Sequence, residues 1–280
     1  MYAIIILILT LFAIFLFLYS KKNYEETEYH KQTGNSYFSI LFDKGAGGEY
    51  SLSETLNLIK IPKRTLFNLY IPFGGEQTSE VDCIVLHSTG IYVFEVKNYG
   101  GWIFGSDNQR YWTQTLPATN HSSEKHKFYN PIWQNSGHIR RLKEYLQIKN
   151  LPIFSYIVFS DRCVFKKINF SNTNIKLLYF KNVPEVLCND FKCRPPVINE
   201  SVLESIYNKL YPLTQTSENV KNTHVKNIQV HHHSINVKYC PLCGNKLVLR
   251  TAKKGPNAGN KFWGCSNYPN CRYVEKYIKK

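Results

Sequence analysis

Four cysteines near the C-terminus constrain this chain more than any other feature. They read Cys240-Pro-Leu-Cys243-Gly and Cys265-Ser-Asn-Tyr-Pro-Asn-Cys271, a C-x2-C-x21-C-x5-C arrangement. Two close pairs of thiolates close a tetrahedral Zn²⁺ site with no open position, so the metal they imply is structural. Residues 238–280 are too few to hold a fold together without it, and Gly244 suits the tight turn after the second ligand. The other four cysteines, Cys83, Cys163, Cys188 and Cys193, are scattered singly, which argues against a disulfide scaffold. Residues 239–280 are therefore expected to form a zinc ribbon.

The charge distribution points the same way. Of 35 Lys and Arg against 20 Asp and Glu, ten basic residues and a single acid, Glu275, fall from residue 238 onward, so more than half of the formal +15 sits in the tail. Phe262, Trp263 and Tyr268 alternate there with Arg250, Lys253, Lys254, Lys261 and Arg272. Cations that follow phosphates, interleaved with aromatic faces that stack on bases, are the ingredients of single-stranded nucleic-acid binding. The plainer alternative is a solvated basic face over a small aromatic core.

At the other end, residues 2–19 are apolar except for Thr10. A helix of that length spans about 27 Å, close to a bilayer core. A cleaved signal peptide would want a basic segment before the run and a small-x-small site after it; only Met1 precedes, and Leu18-Tyr19-Ser20-Lys21 is no such site. An uncleaved anchor over residues 1–20 is the expectation. With Lys21 and Lys22 following the run, the positive-inside rule places the bulk of a single-pass chain in the cytoplasm, where thiols stay reduced.

Between these ends lie alternating patterns. After a polar juxtamembrane segment at 21–44 and a glycine-rich entry (Gly45, Gly47, Gly48), Leu52, Leu56 and Ile59 recur at helical spacing, with Glu49 in the first turn. Strands are expected at 65–71, 80–86, 91–97, 102–104 and 111–115, mostly antiparallel. Residues 117–128 read as a polar loop. Asn130-Pro131 opens a helix to about residue 147, with Ile139, Leu142 and Leu146 inward. A buried strand at 153–159 is placed beside the earlier strands in an α/β arrangement, followed by a strand near 175–180 and a helix near 200–210. Trp102, Tyr111, Trp112 and Trp133 read as core. Residues 213–238 read as a linker; its His231, His232 and His233 are not preorganised for a metal.

The chemistry-bearing stretch is a hairpin. Two apolar strands flank His87-Ser88-Thr89-Gly90, and a pair centred on Ser88 and Thr89 sets Asp82 opposite Glu95. Lys97, two residues on, shares their face. Facing carboxylates repel unless a cation intervenes, and Mg²⁺ or Mn²⁺ would suit them; a structural ion pair between Lys97 and one acid fits the same spacing.

Asp82, then Glu95-Val96-Lys97, preceded by a helix bearing Glu49, resembles the PD-(D/E)XK nuclease superfamily. Within it, Gly48-Glu49, Glu80-x-Asp82, the stretch from Gly90 through Lys97-Asn98-Tyr99-x-Gly101, and Asn130-Pro131-x-x-Gln134 resemble the nuclease-related (NERD) domain. The resemblance covers about residues 45–146 and implies a restriction-endonuclease-like α/β core, its mixed sheet flanked by helices, in a domain expected over 45–212. It also implies Glu49, Asp82 and Glu95 at a metal site, Lys97 as the catalytic lysine and Gln134 as a site residue borne by a helix. The cysteine tail resembles the C4 zinc fingers of bacterial type IA topoisomerases, which implies DNA binding, single-stranded in form. Three functions follow as expectations: a nuclease anchored in a bacterial inner membrane, a non-catalytic tether of DNA to that membrane, or a scaffold whose basic tail binds anionic lipid.

Overall fold

The computed structural model describes residues 2–74, 77–117, 123–148, 150–170, 175–216, 220–221, 223, 240, 247–269 and 271–277. The histidines at 231–233 and Cys243 lie outside them.

The N-terminal apolar run forms α1 (Tyr2–Glu25), long and apolar enough to cross a membrane, with its apolar side chains exposed almost throughout. Two short helices follow, α2 (Glu28–Thr33) and α3 (Tyr37–Phe42), capped by Thr27 and Ser36. Helix α4 (Lys44–Asn57) begins four residues before the glycine-rich entry ends, because the Asp43 side chain accepts from the Ala46 amide. Gly45, Gly47 and Gly48 thus lie within the helix, and Glu49 falls in its second turn rather than its first.

The main sheet runs β1 (Arg64–Pro72), β2 (Thr78–His87), β3 (Gly90–Lys97), β7 (Ile153–Phe159), β9 (Ile175–Tyr179) in spatial order. The first three strands are antiparallel and the last two join in parallel, so the sheet is mixed. A second sheet runs β6 (Ser123–Tyr129), β5 (Tyr111–Pro117), β4 (Gly101–Ser106), β8 (Cys163–Asn169). The expected loop at 117–128 is therefore corrected: its second half is a strand paired with β5 from Tyr111↔Tyr129 to Pro117↔Ser123. Trp102 and Tyr111 are also corrected, being 44% and 45% exposed, whereas Trp112 and Trp133 are core.

Helices cover both faces of the main sheet. On one, Leu52 and Leu56 of α4 and Val183, Leu187 and Phe191 of α6 (Val183–Cys193) pack on Cys83, Val85, Tyr92 and Phe94. On the other, Leu142 and Leu146 of α5 (Pro131–Leu146) and Leu203, Ile206 and Leu210 of α7 (Glu200–Leu210) pack on Ile84, Leu86, Ile91 and Val93. Alternating inward residues on β2 and β3 dictate this, since both faces of a central strand must be buried. The end of α1 and the segment after it are bound into the first face through buried Tyr24 and Tyr29. At the C-terminus, β10 (Leu247–Thr251), β11 (Lys261–Cys265) and β12 (Val274–Lys276) form a three-stranded antiparallel ribbon.

Candidate active site and nucleic-acid interface

The hairpin forms in the expected register, from His87↔Gly90 to Cys83↔Phe94. The next rung would pair Asp82 with Glu95, and there the ladder stops. On the other side, β1 pairs with β2 at Phe67↔Cys83 and Leu69↔Val81 but skips Asn68, whose φ of 50° is left-handed. Asparagine tolerates that conformation better than most residues. The twist lets Leu69 join Leu66 on the α5 face, although strict alternation would separate them. The sheet is thus open along the rung Asn68, Asp82 and Glu95. Asp82 uses the opening to reach across, its Oδ2 accepting from the Val96 amide at 2.7 Å.

Glu95 is fully buried on the α5 face. Its Oε1 lies 2.7 Å from Lys97 Nζ, and its Oε2 lies 3.2 Å from His138 Nε2. Each carboxylate oxygen is thus met by one nitrogen, Oε1 by Lys97 and Oε2 by His138. Burial pushes the Glu95 carboxyl up, but Lys97 and His138 outweigh it and hold the group below its ordinary value. Burial likewise disfavours the Lys97 ammonium, yet Glu95 and then Asp82 raise its pKa, so it stays protonated. Lys97 Nζ also donates to Gln134 Oε1 at 3.2 Å.

Asp82 and Glu49 are in the opposite situation. Burial, then Glu95 and Glu49, drive the Asp82 carboxyl well above its ordinary value. Burial and the nearby Glu80 push Glu49 up to about 7, against hydrogen bonds from Asn68 and from the Tyr29 hydroxyl at 2.9 Å. Glu49 comes this close because α4 packs on β3 at Gly48, where a Cβ would sit 2.7 Å from Asn98 Cβ and 3.2 Å from Val96 Cγ1. Crowded carboxylates that would rather be neutral are what a divalent cation relieves. The donor set, all hard oxygens, fits Mg²⁺ or Mn²⁺.

The structure places Asp82, Glu95, Lys97 and Gln134 about one rung with Glu49 near Asp82, although the oxygens of the three acids are not gathered as closely as the sulfurs of the ribbon cysteines. It adds two residues that sequence reasoning missed. His138 sits one helical turn beyond Gln134 on α5 and bridges Glu95 to Ser79 Oγ, 2.7 Å from its Nδ1; the i, i+4 spacing from Gln134 was the available signal. Asn68, opposite Asp82, left no signal, since a positive φ is invisible in sequence.

The ribbon is held by its cysteines. Cys240, Cys265 and Cys271 are buried, and their sulfurs lie within 4.8 Å of one another. Among the described residues this is the one group of three or more ligand side chains gathered so closely. The Asn267 amide points at Cys265 Sγ at 3.4 Å, as thiolates require, so the set fits structural zinc. Lys253, Lys254, Lys261, Arg250, Arg272 and Tyr268 are exposed, and the Arg250 guanidinium lies 6.0 Å from the Tyr268 ring centroid. Phe262 is half-buried, and half-buried Trp263 packs on the cysteines. The ribbon docks on the two-sheet unit: the Tyr273 ring meets Trp133 edge-on at 5.7 Å, and Arg110 reaches Glu275 at 3.8 Å. Trp133 directly precedes Gln134 on α5, so the ribbon abuts the helix that carries Gln134 and His138.

A family model described as the nuclease-related domain matches residues 44–160, and one described as the topoisomerase DNA-binding C4 zinc finger matches residues 237–280. An uncharacterised protein of Bacillus anthracis is 30% identical over 185 residues, which cover 65% of this chain and 82% of that protein. DNA topoisomerase 1 of Methanocaldococcus jannaschii is 31% identical over 98 residues, 35% of this chain but only 10% of the archaeal protein. An uncharacterised protein of Escherichia coli is 51% identical over 39 residues, 14% of this chain and 19% of its own length. No solved structure matches the chain.

Proposed function

The chain belongs to the nuclease-related (NERD) domain family and ends in a topoisomerase-type C4 zinc ribbon, and from that premise we propose a metal-dependent nuclease with a PD-(D/E)XK-like core, anchored by α1 on the cytoplasmic face of a bacterial inner membrane. What carries the reading is the buried Glu95–Lys97 pair at 2.7 Å, opening onto the unpaired rung that holds Asp82, with Glu49 beside it.

In this reading Glu49, Asp82 and Glu95 would hold Mg²⁺ or Mn²⁺. When bound, the cation supplies Lewis-acid chemistry at the scissile phosphate. Lys97, kept protonated by its carboxylates, places an ammonium that stabilises the negative charge building on the phosphoryl oxygens as water attacks and the P–O ester bond breaks. Gln134 fixes the Lys97 side chain through its Oε1, and His138 keeps Glu95 ionised and aimed. The ribbon delivers DNA, single-stranded at Tyr268, Phe262 and Trp263, along its exposed cations. The likeness to topoisomerases is carried over for DNA binding alone, not for strand passage.

One observation favours a second reading, a non-catalytic tether of DNA to the membrane: Asp82 already spends Oδ2 on the Val96 amide. Incubating the zinc-loaded protein with single- and double-stranded DNA and RNA, in Mg²⁺, Mn²⁺ or EDTA, separates the two. Cleavage that needs the divalent ion and disappears in Asp82→Ala and Lys97→Ala supports the nuclease. Binding without cleavage under every condition leaves the tether.

A further inference from the structure

Helix α3 has the sequence Tyr37-Phe38-Ser39-Ile40-Leu41-Phe42, apolar on every side but one residue. Its inner face, Tyr37 and Ile40, packs against the aromatic core around Tyr24 and Leu52. Its outer face is largely open: Phe38, Leu41 and Phe42 are 54%, 52% and 81% exposed, and the rings of Phe38 and Phe42 stack on each other at 6.3 Å. A helix apolar all round calls for burial on both sides.

Position says what lies on the open side. Phe17 of α1 meets the Tyr37 ring at 5.4 Å and the Phe38 ring at 5.7 Å, and it is half-buried in a run whose other side chains are almost all exposed. Phe17 lies two residues before the apolar run ends at Tyr19, about 3 Å along the axis. Helix α3 therefore stands beside the last turn of the apolar part of α1, at the level where acyl chains would give way to headgroups. Aromatic side chains favour that level.

We propose that α3 is a second membrane contact, a short helix lying in the lipid interface with Phe38, Leu41 and Phe42 immersed. The proposal rests on the reading of α1 as a membrane span. With α1 it gives two fixed points on one plane, so the nuclease-like unit is held against the bilayer in one orientation instead of swinging on a single tether. The occupant is lipid as such, without regard to headgroup charge. Lys21, Lys22, Lys31 and Lys44 are matched by Glu25, Glu26, Glu28 and Asp43, so the formal charges of this segment cancel.

The full chain reconstituted in zwitterionic phosphatidylcholine vesicles carries the test. Phe42→Trp adds an indole at an exposed position, and its emission is taken as the difference from wild type. The expected result is strong quenching by lipids brominated near the carbonyl end of the chain, little quenching by aqueous iodide, and the same pattern in anionic vesicles. Quenching by iodide and not by bromolipid would overturn the proposal, since water then covers the face. Shielding from both would overturn it in favour of a second copy seated there. Alkaline extraction of the same vesicles reads α1 separately: release of the wild-type chain sinks the span itself, whereas a chain that resists extraction with an iodide-quenched indole sinks only the seated helix.

Discussion

Replacing Lys97 by methionine removes the ammonium from a carboxylate that has nowhere else to discharge. Lys97 Nζ is 2.7 Å from Glu95 Oε1, and the side chains are 15% and 1% exposed. At an effective dielectric near 20 the attraction is about 6 kcal/mol. Relaxation lowers the cost of breaking such a pair to about 3–5 kcal/mol, because one buried charge is left uncompensated except by His138 at 3.2 Å. The companion change Glu95→Gln removes the orphaned charge, so the double variant should recover more than about 2 kcal/mol of that loss. The sign of the pH dependence follows. Wild-type Glu95 is held below its ordinary pKa, so its stabilising contribution is complete above the unfolded carboxyl value and fades as pH falls through the folded one. In Lys97→Met burial prevails and the carboxyl titrates higher, so the penalty relative to wild type is largest near neutrality and shrinks in acid as Glu95 takes up a proton. Urea denaturation at pH 7.5 and pH 5, with zinc retained and Mg²⁺ absent, measures both. A single-variant loss below about 1 kcal/mol, or a double variant no more stable than Lys97→Met, would refute the reasoning.

Three further outcomes follow from the same geometry. Gly48→Ala places a Cβ 2.7 Å from Asn98 and should lift α4 from β3, costing about 1–3 kcal/mol and reducing any cleavage by displacing Glu49; thermal melts and DNA cleavage assays check it. Cys265→Ser should release zinc and abolish DNA retention by the ribbon while the buried strands of the main sheet keep their amide-exchange protection, measured by metal analysis, gel shift and hydrogen exchange. Burial, and then Asp161, push the buried Cys163 thiol up to about 11, so at pH 8 only about a thousandth is thiolate, and iodoacetamide should modify exposed Cys193 well before it, as peptide mass spectrometry would show.

Legibility in the sequence tracked burial. The β2–β3 hairpin, α5 with its Asn130 cap and the buried strand β7 stand close to their expected bounds, because apolar patterning and turn chemistry encode them directly. Strand β6, Ser-Glu-Lys-His-Lys-Phe-Tyr, is exposed along most of its length and shows no apolar alternation, so nothing in its composition marks it. Helix α6 carries a signal in Val183, Leu187 and Phe191 at successive i, i+4 steps, with Pro184 in its first turn. At the site, Asp82, Glu95 and Lys97 are local to one hairpin and could be placed by strand period. Their supports could not: Asn68 depends on a left-handed backbone, and the Tyr29 hydroxyl reaches Glu49 from a segment that looks merely polar. That Asp82 turns to the Val96 amide, leaving its rung unpaired, is a consequence of tertiary twist and not of spacing.

In the proposed nuclease, Glu49, Asp82 and Glu95 gather a divalent cation beside Lys97. Electron paramagnetic resonance of Mn²⁺ added to the zinc-loaded protein tests it most directly. The prediction is a bound Mn²⁺ signal that Mg²⁺ displaces and that Asp82→Asn and Glu95→Gln remove while the ribbon keeps its zinc. Mn²⁺ that stays free in the wild-type protein, or binds equally in both variants, would contradict it.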